Sequence, residues 1–376
     1  MTDKVLKFLE TANLPTPLLV VDLDQIEANY RALAGALPDA RIFYAMKANP
    51  APEVMARLVA LGCCFDVASI GEVEQALAAG AAPDRLSFGN TIKKERDIAR
   101  AYALGVRLFA FDAKEELEKI ARAAPGSRVF CRILTSGEGA DWPLSRKFGC
   151  TPSMAADLLQ LAPWLGLTPF GVSFHVGSQQ RDPQQWDHAL AVVGRMFRQI
   201  EEESGIALRM VNLGGGFPAR YGEDVPGADA YGTAIRESLL RHFGNQRPEL
   251  IVEPGRGLVG DAGVIETEVV LIAKKGDQDD RRWVYLDIGK FGGLAETMEE
   301  AIRYPIETHR QGERAPVIIA GPTCDSADVL YDRANYHLPK DLAIGDRVRI
   351  RSTGAYTTTY ASVGFNGFEP LRSICI

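Results

Sequence analysis

Residues 41–67, RIFYAMKANPAPEVMARLVALGCCFDV, hold an apolar run, a stretch of helical period and a second apolar run. The first run, 41–46, has strand length and breaks at Asn49-Pro50, where proline bars both a ladder and a helix. Residues 52–61 follow with Val54, Leu58 and Leu61 on one helical face and a proline at the start. Residues 64–67 return to strand composition. A strand, a helix and a strand in so short a span imply a right-handed crossover and parallel pairing.

Outward from this unit the alternation continues. Apolar, β-branched or aromatic runs recur at 86–88, 106–111, 128–134, 170–176, 210–213 and 250–253, with helical stretches such as 70–79, 93–104 and 113–124 between them. Eight such runs predict a closed (β/α)8 barrel, a fold that needs about 250 residues. After residue 261 the pattern changes: 264–274, 282–287, 316–319 and 346–352 read as strands between Gly, Asp and Pro turns, with little helical period. The expected architecture is α/β, with a barrel over 22–260 and a C-terminal, mostly antiparallel β domain, a sandwich or barrel, over 261–376. Residues 1–21 belong with the β domain, to which 17–21 add a strand.

Bulk properties narrow the function. The 376 residues are 46% hydrophobic and 24% charged, an ordinary globular balance. A net charge of -7, with both signs mixed along the chain, gives no support to nucleic-acid binding. The first residues, MTDKVLKFLETANLPTP, have no apolar core of signal-peptide length, and no apolar run approaches a membrane span. The expectation is a cytoplasmic protein. Six cysteines without a C-x-x-C and five scattered histidines suggest reduced thiols and no metal site.

Active sites of such barrels gather where the strands end. The successive ends read Lys47, Asp66, Asn90, Asp112, Arg132, His175, Gly214-Gly215-Gly216 and Glu253. Lys47 closes an apolar run. Desolvation there lowers a lysine pKa toward the nucleophilic amine, although a lysine snorkelling from a strand edge gives the same pattern. Asn212-Leu213-Gly214-Gly215-Gly216-Phe217-Pro218 lets backbone N–H groups converge on an anion, and Glu253-Pro254-Gly255-Arg256-Gly257 sets a cation beside it. Either alone is an ordinary tight turn. Two of them at the seventh and eighth strands favour a phosphorylated ligand. A phosphate site beside a desolvated lysine suggests pyridoxal 5′-phosphate, whose aldehyde condenses with lysine. Glu253 is placed to pair with its pyridine nitrogen and His175 to lie against its ring.

The segments Phe43-Tyr44-Ala45-Met46-Lys47-Ala48-Asn49, Phe65-Asp66-Val67-Ala68-Ser69, Gly171-Val172-Ser173-Phe174-His175-Val176-Gly177-Ser178, Gly214-Gly215-Gly216-Phe217-Pro218 and Glu253-Pro254-Gly255-Arg256 together resemble one family. It is the alanine-racemase-fold, pyridoxal-phosphate-dependent basic amino acid decarboxylases. Gly321-Pro322-Thr323-Cys324-Asp325-Ser326, Gly354-Ala355-Tyr356 and Phe365-Asn366-Gly367-Phe368 continue the likeness in order, so it spans nearly the whole chain.

The resemblance implies roles. Lys47 would carry the cofactor; Ser178, Gly216, Arg256 and Tyr356 would bind its phosphate, with Gly214, Gly215 and Gly255 shaping the loops. Glu253 would hold the pyridine nitrogen, His175 would stack on the ring, and Asp66 and Arg132 would complete the polar surround. Family members are homodimers with shared active sites, which would bring Cys324 from the partner subunit to protonate Cα, and Asp325 to meet the distal ammonium of a basic amino acid. A second carboxylate is expected from 290–300, where ungapped alignment favours Glu299 and Glu296 is the rival. The implied reaction is decarboxylation of ornithine to putrescine, in polyamine biosynthesis. Lysine, or lysine and ornithine both, is the alternative. Diaminopimelate is disfavoured by Asp325 standing where a glutamate is usual, arginine is less favoured still, and a non-catalytic regulator is disfavoured by the retention of Lys47, Cys324 and Gly214–Gly216.

Overall fold

The computed structural model describes residues 1–135, 138, 140–142 and 146–376. Eight parallel strands close into a barrel: β2 (Ala40–Ala45), β3 (Cys64–Val67), β4 (Leu86–Phe88), β5 (Leu108–Phe111), β6 (Arg128–Arg132), β8 (Thr168–Ser173), β10 (Met210–Asn212) and β11 (Glu249–Val252). They are neighbours in chain order, and β11 closes on β2 with Ile251 opposite Arg41. Side chains of opposite parity serve two cores. Phe43, Cys64, Ala110, Phe130, Met210 and Ile251 fill the interior, and Tyr44, Phe65, Phe109, Val129, Val211 and Val252 pack outward under the helices. Burial on both faces is why these strands read as unbroken apolar runs. Several end earlier than those runs: β6 stops at Arg132, β8 stops at Ser173, and Met46–Ala48 forms a 3-10 turn that carries Lys47. At the mouth the chain must leave the ladder, and its apolar residues there pack into loops.

A short antiparallel pair, β7 (Ala140–Trp142) and β9 (Ser178–Gln180), forms a separate small sheet. The second sheet has nine strands among the described residues. Its long strand β12 (Gly263–Ala273) pairs with β13 (Arg282–Leu286), with β18 (Arg347–Arg351) and with β1 (Leu18–Val21). Beyond these lie β14 (Ile306–Thr308), β15 (Arg314–Ala320), β16 (Val329–Tyr331), β17 (His337–Pro339) and β19 (Arg372–Cys375). Pairing is antiparallel except for β13 with β15 and β1 with β19. The strand expected from 17–21 is thus present, clasped between β12 and β19. Before it, Asp3–Ala12 is a helix capped by Thr2, and it packs Val5 and Leu9 on Leu18, Val20 and Val264. No helix among the described residues is long and apolar enough to cross a membrane.

One aromatic cluster fixes the glycine turn against the outer helices. Trp186, on the helix Gln185–Ser204, is fully buried and donates Nε1–H to the Leu213 carbonyl at 3.1 Å. Its ring centroid lies 5.2 Å from Phe217 and 5.6 Å from Tyr231. Trp186→Ala should cost roughly 3–5 kcal/mol through the cavity and the lost hydrogen bond. Urea unfolding measures it; a loss under 1 kcal/mol would mean the cluster is not holding the turn.

Candidate active site

The strand ends enclose a cavity of about 450 Å³ at the barrel mouth, a size suited to a small ligand. Of the eight predicted ends, six reach it: Lys47, Asp66, Arg132, His175, Gly215 with Gly216, and Glu253. Asn90 and Asp112 do not. They fasten loops, Asn90 by donating Nδ2–H to the Ala68 carbonyl and Asp112 by accepting the Gly149 amide at 2.7 Å. Ser178, Gly255, Arg256, Tyr356 and Glu296 complete the lining predicted from sequence.

Lys47 lines the cavity and is exposed within it. Burial pulls its pKa down, but the Tyr356 phenol and the Asp66 and Glu253 carboxyls more than compensate, and the net shift is upward from the ordinary lysine value. This corrects the expectation from sequence: desolvation is present, but the cavity's anionic partners outweigh it. The resting side chain is an ammonium.

Two carboxyls face that ammonium. Burial, with the Glu253 charge, raises the Asp66 pKa well above the usual range. Its Oδ1 is buried and has no hydrogen-bond partner among the described residues. Gly89 makes room for it, since a Cβ there would lie 1.9 Å from that oxygen. Burial also raises the Glu253 pKa, against the hydrogen bond that Asn212 donates to its Oε1. The Asn212 Oδ1 accepts the Gly214 amide at 2.9 Å, so a single buried asparagine sets both the carboxylate and the glycine turn.

That turn approaches the cavity as backbone alone. Gly216 has φ +102°, and a Cβ on it would lie 2.6 Å from the Gly177 carbonyl; a Cβ on Gly215 would meet the Glu253 carbonyl at the same distance. Glycine is required at both, by conformation in the first case and by close approach in the second.

His175 is held from two sides. Its Nδ1 accepts the Gly177 amide at 2.9 Å, and its carbonyl accepts from the Thr135 hydroxyl. Burial first, then the Arg132 and Lys47 charges, push its pKa well below the ordinary value. A neutral imidazole accepting at Nδ1 carries its proton on Nε2. Its carbon-bound ring protons should therefore show no NMR titration with a midpoint near the ordinary value of 6.5. The sign for stability follows. The unfolded imidazole gains a proton as pH falls through that value and the folded one does not, so its contribution is full above it and lost as pH falls toward the lowered folded value.

Arg256 is buried beside the glycine turn, and its guanidinium lies 4.9 Å from the Tyr356 ring centroid. Tyr356 holds a positive φ of 56° while its amide bonds the Ala48 carbonyl at 2.8 Å. A bulky residue in that conformation stores strain of a kind common at ligand sites.

The two rival glutamates separate. Glu296, on the short element Ala295–Glu300, is buried against Arg256 and lines the cavity. Glu299 takes a positive φ of 54°, leaves 88% of its side chain exposed and turns to Arg333. The structure thus places Glu299 outside the cavity of its own chain, against the ungapped alignment. Cys324 and Asp325 are also exposed and outside it. Their loop is clamped by Asp328, whose carboxylate accepts from the Lys290 and Thr323 amides, and Asn366 accepts the Cys324 amide at 2.8 Å.

Sequence reasoning assigned no role to Asn212, Thr135, Phe148, Tyr221 or Tyr360. Asn212 had a signal: an asparagine inside an apolar barrel strand must find partners when buried.

The family model for the pyridoxal-dependent decarboxylase, pyridoxal binding domain, matches residues 23–260. Lysine/ornithine decarboxylase of Selenomonas ruminantium is 37% identical over 98% of this chain and 91% of its own. Ornithine decarboxylase of Schizosaccharomyces pombe is 33% identical over 94% and 82%. Among solved structures, lysine/ornithine decarboxylase from Vibrio vulnificus, complexed with cadaverine, superposes with a TM-score of 0.90 at 34% identity, covering 100% of this chain and 99% of that one.

Proposed function

The chain belongs to the pyridoxal-dependent decarboxylases, carboxy-lyases whose cofactor is pyridoxal 5′-phosphate, and we propose that this member converts L-ornithine to putrescine. The cavity's own features fit the cofactor: a lysine at the end of β2, a backbone cradle that a Cβ at Gly215 or Gly216 would fill, and a buried carboxylate oxygen of Asp66 that lacks a partner. Lys47 would hold the aldehyde carbon. Ser178, Gly216, Arg256 and Tyr356 would hold the phosphate, with Gly214 and Gly255 setting the loops. Glu253, its Oε1 already held by Asn212, would offer Oε2 to the pyridine nitrogen and keep a proton there. His175 would pack on the ring, its neutral state avoiding a second cation beside Lys47.

Bound, the cofactor supplies a ring that takes up the electron pair released as carbon dioxide departs. The protein's part is to orient and to move protons. Arg132 and Asp66 would organise the polar wall, and the thiol of Cys324 would deliver a proton to Cα. The described part of one chain's cavity is lined by no thiol, which supports a homodimer in which Cys324 and Asp325 enter from a second copy. An apolar groove of about 420 Å³ beside that loop, lined by Phe291, Pro322, Phe365 and Phe368, offers a surface for the contact. The division proposed with this reading is a cofactor-binding barrel over 22–260 and a β domain of 1–21 and 261–376.

The observation carrying the substrate reading is Glu296, a third cavity carboxylate beyond Asp66 and Glu253. Paired with Arg256 in this cavity, it would be free to join Asp325 in gripping a distal ammonium, and to repel the second carboxylate of diaminopimelate, once Arg256 turns to the phosphate. A glutamate reaches further than an aspartate and shortens the room, which favours ornithine over lysine. Lysine is the second reading, favoured by relatives named for both activities. One methylene is worth about 1–3 kcal/mol, so kcat/KM for ornithine should exceed that for lysine by roughly 10- to 200-fold. Steady-state assays on ornithine, lysine, arginine and diaminopimelate test it; a lead for lysine would replace it by the second reading, and a lead for either of the last two would overturn both.

A further inference from the structure

A guanidinium has five N–H donors, and Arg256 has all five engaged within the protein. Nη1 donates to the Tyr221 hydroxyl and to Glu296 Oε2, both at 2.7 Å. Nη2 donates to Glu296 Oε1 at 2.5 Å and to the Ser178 hydroxyl at 3.3 Å, and Nε donates to the same hydroxyl at 3.2 Å. The Arg256 and Glu296 side chains are 3% and 6% exposed, so the pair is desolvated as well as bidentate. Glu296 therefore occupies the planar fork that a phosphate would use, and it cancels the positive charge that would attract one.

We propose that Glu296 competes with the cofactor phosphate for Arg256 and thereby sets cofactor affinity. The inference rests on the reading of Arg256 as a phosphate ligand. A dianion arriving beside Ser178 meets a neutral, fully bonded pair, and it can gain a charge-assisted bond only where Glu296 or Ser178 gives up a donor. Ser178 is a neutral hydroxyl that can turn and donate to the phosphate itself. Glu296 can only accept, and its charge repels the incoming one. The geometry of its element fits a carboxylate that yields: Ala295–Glu300 is two short 3-10 pieces joined across a kink, with non-helical Met298 and positive φ at Glu299 and Glu300, and it comes from outside the barrel.

Equilibrium dialysis of the apoenzyme against pyridoxal 5′-phosphate, inorganic phosphate and phosphate-free pyridoxal tests the proposal without reference to turnover. Glu296→Gln keeps the shape and replaces repulsion by an amide donor. It should tighten pyridoxal 5′-phosphate and inorganic phosphate by roughly tenfold and leave pyridoxal unchanged. Glu296→Ala, which admits water beside Arg256, should move both in the same direction and serves if the glutamine chain does not fold. Weaker or unchanged phosphate binding in the folded variant, or an equal gain for pyridoxal, overturns the proposal; weaker binding means that Glu296 props Arg256 for the phosphate. Arg256→Ala separates the two layers. Loss of phosphate-dependent affinity supports the underlying reading, and retention overturns that reading together with the competition built on it.

Discussion

Replacing Lys47 by alanine lowers turnover by roughly 10³-fold or more, and borohydride no longer fixes the cofactor to the chain. Lys47 is the only lysine lining the cavity among the described residues, so no neighbouring amine can take over the covalent role. The loss is chemical and not structural. Removing an ammonium whose two carboxyl neighbours are already disfavoured as anions by burial leaves the barrel intact, so urea unfolding should change little. The upward shift of the Lys47 pKa adds a second signature in the unaltered protein. An amine held as ammonium must lose its proton before it attacks an aldehyde, so the rate of cofactor fixation should climb with pH through neutrality and beyond. A rate independent of pH between about 6 and 9 would show that the lysine is neutral at rest, and full activity in the alanine chain would remove Lys47 from the chemistry.

Cys324→Ala is expected to be nearly as damaging, by about 10²- to 10⁴-fold, the usual worth of a positioned proton donor. Its distinguishing outcome is what happens on mixing. The Lys47→Ala and Cys324→Ala chains are each inactive. If every site takes its lysine from one subunit and its cysteine from the other, a mixed dimer holds one intact site and one doubly damaged site. Random exchange of equal amounts should then restore about a quarter of the original activity. No recovery, with subunit exchange verified, would place both residues in one chain's site, and the exposed setting of Cys324 would need another explanation. The same cysteine substitution should leave cofactor binding unaltered, because Cys324 is not among the residues that would hold the cofactor.

Much of this was readable from the chain. The barrel strands were legible because a parallel strand covered on both faces leaves an apolar run, and because six of the eight runs are followed by a residue that lines the mouth of the barrel. What sequence could not convey was interaction between distant segments. Lys47 seen alone argues for a depressed pKa; only the arrival of Asp66, Glu253 and Tyr356 from three other segments reverses the sign. Glu299, favoured by the ungapped comparison, lies outside the cavity that Glu296 lines, because such a comparison cannot register positive φ at two consecutive residues. The short strands Ile306–Thr308, Val329–Tyr331 and His337–Pro339 carry too few residues to show a period. The helix Asp3–Ala12 was passed over because its apolar residues make a narrow stripe beside a strand signal.

Strand β1 lies between β12 and β19, with Leu18 opposite both Glu266 and Arg372. It leaves the ribosome before either partner exists. The barrel strands, whose neighbours follow them in order, can assemble meanwhile, but β1 must wait with its backbone donors and acceptors unmatched until nearly the whole chain has been made. Contacts this distant in sequence form slowly, and an unmatched strand edge invites other chains. Completing the second sheet therefore depends on segments that are far apart in sequence and far from the chemistry. Trimming the residues of β19 would show first as lost soluble yield, in enzyme molecules that are individually unimpaired.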